Sequence, residues 1–366
     1  MTSRFKKNSV KTRVITVLIL ALAIFLLMFI AGYPNFVERY YSNGFYRAIC
    51  FIFHPIFNLL PFSAGDIIYI LIICYLFYAA VKLIRLLIRK QWQKLGMFSL
   101  GLIIGIQVFL LCFYLFWGMN YYRRSASERF NLPDSGYTTA DLKSVTSILI
   151  DSANSCRRKV TTADLQQNNK VIYATAVNAV LALSASSGNF HSFKPGIKPS
   201  LLTPLMNYMG TSGYYNPFTT EAQMDYDLPV FIKPFVACHE MTHQMGFGPE
   251  DEANFGGFIA GIHSNDRLLR YSAYYVGVQE FMFALKHQDS LARKELRKNI
   301  SPQVLNDFKT ERAFWLSYES KLGALSSIFY DDFLKANNQP QGLNTYNQMV
   351  RLVMGWYKRK PIVVHR

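Results

Sequence analysis

The 366-residue chain carries 39 Lys+Arg against 23 Asp+Glu, a formal charge of +16, and 51% of its residues are hydrophobic. A mean hydropathy of +0.11 argues against a wholly soluble chain and directs attention to membrane spans. The charge does not indicate a nucleic-acid partner: residues 1–118 hold 12 basic and 2 acidic side chains (net +10), the remainder 27 and 21 (net +6). The excess is thus mostly juxtamembrane, where it orients spans and meets anionic lipid.

Residues 14–37 contain no charge, and Val14 to Gly32 is nearly all aliphatic. Lys6, Lys7, Lys11 and Arg13 ahead of it resemble the basic start of a signal peptide. The apolar run is too long for that and has no small-x-small cleavage site before Tyr33-Pro34, so an uncleaved anchor is expected. Residues 48–61 are apolar but short and interrupted by Pro55, which reads as a re-entrant or interfacial piece. Ile67 to Val81 is a second apolar run that Lys82 and Arg85 extend by snorkelling. Residues 95–122 form a third uncharged stretch. Three transmembrane helices are expected, at about 14–34, 66–88 and 95–118, in a membrane domain of residues 1–122.

Basic residues cluster before the first span and between the second and third (Lys82, Arg85, Arg89, Lys90, Lys94), whereas the first-to-second connection has Arg39 and Arg47. The richer segments are expected in the cytoplasm. That places the N-terminus inside and everything after Met119 outside the cytoplasmic membrane. Arg123 and Arg124 run slightly against this assignment. Without a cluster of charged residues inside the spans, a transporter or channel component is the poorest reading.

Residues 123–366 are expected to form a mostly helical extracytoplasmic domain. Thr139-Ala-Asp-Leu opens a helix running toward Cys156, and Thr162-Ala-Asp-Leu opens another reaching Leu183. Residues 190–227 are punctuated by Lys194-Pro-Gly, Lys198-Pro-Ser, Thr203-Pro and Gly213-Tyr-Tyr-Asn-Pro-Phe, a texture of short strands and extended loops. Helices are expected again at 266–286, 301–322, 324–336 and 342–357, with Phe314, Trp315, Phe329, Tyr330 and Trp356 in their core. The basic end Tyr357-Lys358-Arg359-Lys360-Pro361 reads as solvated or touching lipid. Cys156 and Cys238 make no disulfide framework and no CxxC pair, and Cys238 reads as a small buried apolar group. His191, His263 and His287 read as structural or exposed.

One pentapeptide carries chemistry. His239-Glu240-Met241-Thr242-His243 places two imidazoles one helical turn apart with a carboxylate beside them. The apolar approach from Val230 to Cys238 reads as a buried helix starting near Pro234, which Gly246 would end in a left-handed conformation. A second helix is expected to begin at Pro249 with Glu250-Asp251-Glu252 at its positive end. A catalytic zinc takes three protein ligands and keeps one open position. His239 and His243 are two of them, and Glu250 is the preferred third. Glu250, Ala253, Asn254 and Gly257 share a stripe small enough for close approach, from which Asn254 can hydrogen-bond a ligand histidine. Glu252, on another stripe with Phe255 and Ile259, is the alternative third ligand. The position of a third histidine in the HExxHxxGxxH pattern holds Pro249, which argues against a metzincin.

His-Glu-x-x-His followed by Glu-x-x-Ala-Asn resembles the gluzincin branch of the zincin metallopeptidases, whose third ligand is a glutamate four residues before an Asp or Asn. Trp117-Gly-Met-Asn-Tyr-Tyr-Arg123, Gly213-Tyr-Tyr-Asn-Pro-Phe218 and the HExxH motif together resemble a family of bacterial integral-membrane proteins that carries a domain-of-unknown-function label. The zincin resemblance implies a membrane-anchored peptidase with Zn2+ on His239, His243 and Glu250, and with Glu240 as general base toward a zinc-activated water. It also implies a peptide or protein substrate, laid by strand addition along residues 211–223, where Tyr214 or Tyr215 is a candidate oxyanion donor or simply core. The rival expectation is a non-catalytic zinc-binding sensor or envelope scaffold, favoured by a cleft that the 211–223 segment blocks.

Overall fold

The structure is a computed structural model and describes residues 2–133, 136–343 and 348–359. The chain opens with α1 (Thr2–Ala31). A π-helical turn over Val37–Phe45 then leads directly into α2 (Tyr46–Asn58). Two further long helices follow, α3 (Ala64–Ile88) and α4 (Trp92–Phe116). Val10–Ala31, α3 and α4 are long and apolar enough to cross a membrane, with mean hydropathies of 3.2, 2.4 and 2.3. This is a membrane protein with spans close to those expected. Polar groups fasten α1 along α4: Arg13 donates to the Met97 carbonyl at 2.6 Å and Gln107 to that of Val17 at 3.1 Å.

The expected interfacial piece is a helix that continues through Pro55. It buries Tyr46, Ile49, Cys50 and His54, and leaves Phe51, Ile52 and Ile56 exposed on its other face. One face is thus packed on the rest of the chain and the other is apolar and exposed.

The domain after the spans is mainly α-helical. Thr138 and Asp141 form a capping box that starts α5 (Thr139–Lys159). The next expected helix is divided. A single turn at Thr162–Leu165 has its own capping box, and Asn168 caps a fresh start for α6 (Asn169–Ser186). The punctuated stretch gives β1 (Ile197–Pro199), α7 (Thr203–Met209), β2 (Gly213–Asn216) and β3 (Glu221–Met224). The sheet order is β1-β3-β2, with β1 parallel and β2 antiparallel to β3. Then come α8 (Lys233–Gln244), α9 (Glu250–Ile262), α10 (Arg267–Gln288), α11 (Ser290–Arg297), α12 (Pro302–Ser317), α13 (Lys321–Ala336) and α14 (Met349–Arg359). Every residue of α8 is buried, because α6, α9, α10 and the sheet surround it.

One expectation about the C-terminal helices changes. Phe329 is 66% exposed and no part of the core. Lys358 and Arg359 donate to the carbonyls of Gly136 and Phe130, so these two belong to the domain surface, while residues 360 and 361 lie outside the described residues.

The membrane part and the domain meet in a polar seam. Glu221 of β3 accepts from the amides of Ala64 and Gly65 at 3.3 and 2.7 Å, satisfying donors at the start of α3 that have no partner within the helix. Asp66 accepts from the Leu201 amide at 2.6 Å. Lys198 donates to Glu221 and to the carbonyls of Phe57 and Phe62. Phe218, at the tip of the β2–β3 hairpin, sits 4.9 Å from the ring of Phe109 in α4. Ala31, Trp117 and Tyr215 share one apolar cluster, so the end of α1, the start of α3 and the end of α4 all meet the domain. Arg123 is 9% exposed and grips Glu38 of the π-helical turn at 2.6 and 2.7 Å. It is an internal, paired charge.

Candidate metal centre

Pro234 stands in the first turn of α8, where its missing N–H costs nothing. The helix ends at Gly246, whose φ of +80° is open to glycine and strained for other residues. A Cβ there would also lie 2.9 Å from the Asn120 side-chain oxygen and 3.2 Å from the Tyr46 ring. Pro249 is the residue just before α9, so this helix starts one position later than expected. Gly257 lets α9 approach the backbone of His239: a Cβ at this position would stand 3.1 Å from its nitrogen.

The tight turn and the close crossing return Glu250 to the histidines. Its Oε2 lies 3.2 Å from Nε2 of His239 and 3.6 Å from Nε2 of His243. Each imidazole is oriented from behind. Nδ1 of His239 lies 2.8 Å from the Asn254 Oδ1, and Nδ1 of His243 lies 2.7 Å from the Phe247 carbonyl. Both partners are acceptors, so each Nδ1 carries the proton and each Nε2 is left as a lone pair. Glu250 Oε2 is buried and accepts no hydrogen bond. Two nitrogen lone pairs and a carboxylate oxygen therefore converge, an arrangement that calls for a cation.

In the protein alone a proton answers that call. Burial works against a charged His243, but the Glu250 carboxylate outweighs it and raises the imidazole to about 9. Glu250 is held well below the usual carboxylate range: burial opposes ionisation, and the two imidazoles overcome it. Glu240 behaves oppositely. Burial pushes it up to about 7 against the pull of His239 and His243. One ligand-type atom from each of His239, Glu240 and His243 falls within 4.8 Å of the others, so Glu240 belongs to the same cluster.

Glu252, the alternative third ligand, points elsewhere. Its carboxylate accepts from the Ala126 amide and from Arg129, both at 2.6 Å, in a buried ion pair. The two glutamates lie on different stripes of α9, and only Glu250 reaches the imidazoles.

Residues 41–354 match the model of a family described as a protein of unknown function, DUF3810. The chain belongs to the DUF3810 family. No curated protein and no solved structure gives a match. The DUF3810 match starts within the π-helical turn, after the first span, and includes α2, the second and third spans and the whole candidate site.

The site of this DUF3810 protein has a member that sequence reasoning assigned only to the core. Tyr330 of α13 donates its hydroxyl to Glu250 Oε1 at 2.6 Å, orienting the carboxylate from the side away from the histidines. It lies 80 residues downstream, and no local spacing connects it to the motif. The two candidate tyrosines of β2 are engaged elsewhere. Tyr214 donates to Asp66, and Tyr215 packs its ring, tilted, on Trp117 with its hydroxyl 3.0 Å from that of Tyr46. Gly213 is the β2 residue that meets the site: a Cβ there would stand 2.5 Å from Glu240 Oε1. His239, Glu240, His243 and Glu250 are 8%, 3%, 4% and 3% exposed, so the cluster is nearly closed to solvent. His263 turns its Nδ1 back to the carbonyl of Ile259 on its own helix, apart from the cluster.

Proposed function

We propose that this protein is a membrane-anchored zinc-dependent peptidase acting at the membrane surface. The observation that carries the reading is Glu250 Oε2, buried between the Nε2 atoms of two imidazoles whose rings are fixed from behind. His239, His243 and Glu250 would hold the ion. Two imidazoles and a carboxylate suit zinc among the common divalent metals. A zinc ion held there would supply Lewis acidity toward a carbonyl and acidify water.

The residues of the chain supply the rest. Asn254 and the Phe247 carbonyl keep both imidazoles in one tautomer, and Tyr330 keeps Glu250 turned toward them. Glu240, raised to about 7 by burial, is suited to accept a proton from water and pass it to a departing amine at neutral pH. The basic loops favour an outer-face location for the site, with lipid and a polypeptide as partners and no nucleic acid.

A second reading has its own support. Gly213 of the 211–223 segment presses on Glu240 and the cluster is almost closed, as a non-catalytic metal-stabilised sensor or scaffold would have it. The deciding experiment uses the full chain in detergent, measuring bound metal and hydrolysis of a peptide library. His239→Ala and Glu250→Ala should lose both metal and turnover, and Glu240→Gln should lose turnover alone. Wild-type protein that retains stoichiometric zinc yet cleaves nothing, in detergent or in bilayers, favours the sensor or scaffold.

A further inference from the structure

Helix α13 has a face that neither the fold nor the metal centre uses. Leu322, Leu325, Ile328 and Phe329 are 42%, 51%, 61% and 66% exposed. Positions 322, 325 and 329 stack along one helical face with 328 beside them, and no charged residue occurs from Leu322 to Tyr330.

Both ends of α13 are tied to elements at the domain end of the spans. Near its C-terminus the Phe333 ring lies 5.9 Å from Phe113, in the last turn of α4, and Tyr122 donates to the Ala336 carbonyl at 3.5 Å. At its start Ser320 donates to the Tyr208 carbonyl at 2.9 Å. Tyr208 belongs to α7, which follows the Leu201 amide bonded to Asp66 at the start of α3. With 16 residues, α13 is about 24 Å long, and these anchors lay it across the span ends.

We propose that α13 is an interfacial membrane helix whose Leu322, Leu325, Ile328 and Phe329 face seats in the lipid leaflet adjoining the domain. Continuity selects lipid as the occupant. Through Phe333 and Phe113 the exposed stripe adjoins the end of α4, a span whose own apolar side chains face outward along its length. A helix with one apolar face and a tethered opposite side partitions at the depth of the headgroup–acyl boundary. Tyr330, next to Phe329 in sequence, turns inward to Glu250, so the lipid-seated helix also roofs the candidate site. The lipid contact itself does not depend on the metal or on catalysis.

The test places p-benzoylphenylalanine at Phe329, and separately at Ile328, in the full chain reconstituted into phosphatidylethanolamine–phosphatidylglycerol nanodiscs. Irradiation and intact mass spectrometry then read lipid adducts. The same label at Phe25, which is 65% exposed in the first span, is the positive control, and at the surface residue Glu295 the negative one. Lipid adducts at 328 or 329 approaching the Phe25 yield, with none at 295, are expected. Adduct yields at 328 and 329 no higher than at 295, while Phe25 labels, overturn the proposal. Crosslinking of these positions to a second copy or another protein in place of lipid overturns it equally.

Discussion

The indole nitrogen of Trp117 lies 3.2 Å from the carbonyl oxygen of His243, so the residue that ends the third span also holds the last turn of the histidine helix. The two rings meet edge to face at 5.8 Å. Tyr46 adds a second tie, donating to the Gln244 carbonyl at 3.0 Å across 198 residues. The candidate metal centre is therefore built against the ends of the apolar helices.

Those ties bear on where the chain can be cut. A fragment of residues 119–366 loses Trp117, Tyr46, Glu38 and Asp66 together, which takes the Tyr46 donor from the Gln244 carbonyl, the carboxylate from Arg123 and the Asp66 acceptor from the Leu201 amide. Each stranded buried group costs about 1–3 kcal/mol, more when charged. The fragment is expected to melt without cooperativity or to aggregate, while the full chain in detergent shows one transition. Circular dichroism melts with sedimentation velocity check this; a monomeric fragment melting at the full-chain temperature would show the seam to be dispensable.

The ligand assignment predicts different fates for neighbouring substitutions. Asn254→Ala removes the acceptor behind His239 and should weaken zinc binding about 10–100-fold. Glu252→Gln breaks a buried ion pair with Arg129 and should cost about 3–5 kcal/mol of stability. Protein that still folds should keep its zinc. Metal titration against a competing chelator, paired with thermal melts, separates the two; zinc loss from folded Glu252→Gln would reverse the assignment.

At Gly246 two penalties coincide. Its positive φ costs any other residue about 1–2 kcal/mol, and the Asn120 oxygen occupies the space a methyl group needs. Gly246→Ala should lower the melting temperature and also weaken zinc binding, because Phe247, whose carbonyl orients His243, is the next residue. An unchanged melt and unchanged metal affinity would contradict the account of this turn.

The Glu38–Arg123 pair predicts an acid-sensitive seam. Burial tends to raise the Glu38 carboxyl, but the Arg123 guanidinium outweighs it and holds the group below its ordinary value of 4.5. A depressed carboxylate stabilises the folded state above its unfolded value, and that stabilisation disappears as pH falls through the folded value. Glu38→Gln should therefore be less stable than wild type at pH 7, by about 1.5–3 kcal/mol, with the gap closing below pH 4 or so. Melting curves from pH 7 to 3 measure it, and a gap that widens on acidification would refute the sign.

Much of this protein can be read locally. Uncharged runs of span length identify the membrane helices, because a bilayer accepts little else. Glycine at 246 and the i, i+4 histidines locate the turn and the motif, since both depend on a few consecutive residues. The stripe of small residues on α9 favours Glu250 because helical periodicity sorts neighbouring side chains by face. What needed tertiary structure are the contacts between distant segments. Arg129 claims Glu252 from 123 residues away, and Tyr330 reaches Glu250 from another helix. Phe329, one residue before Tyr330, faces outward where its composition reads as core, because hydrophobicity reports a preference to leave water and not whether protein or lipid receives the side chain. Local sequence sets what each segment can form; only the folded chain decides which distant groups complete it, because pairing energies depend on proximity that no spacing encodes.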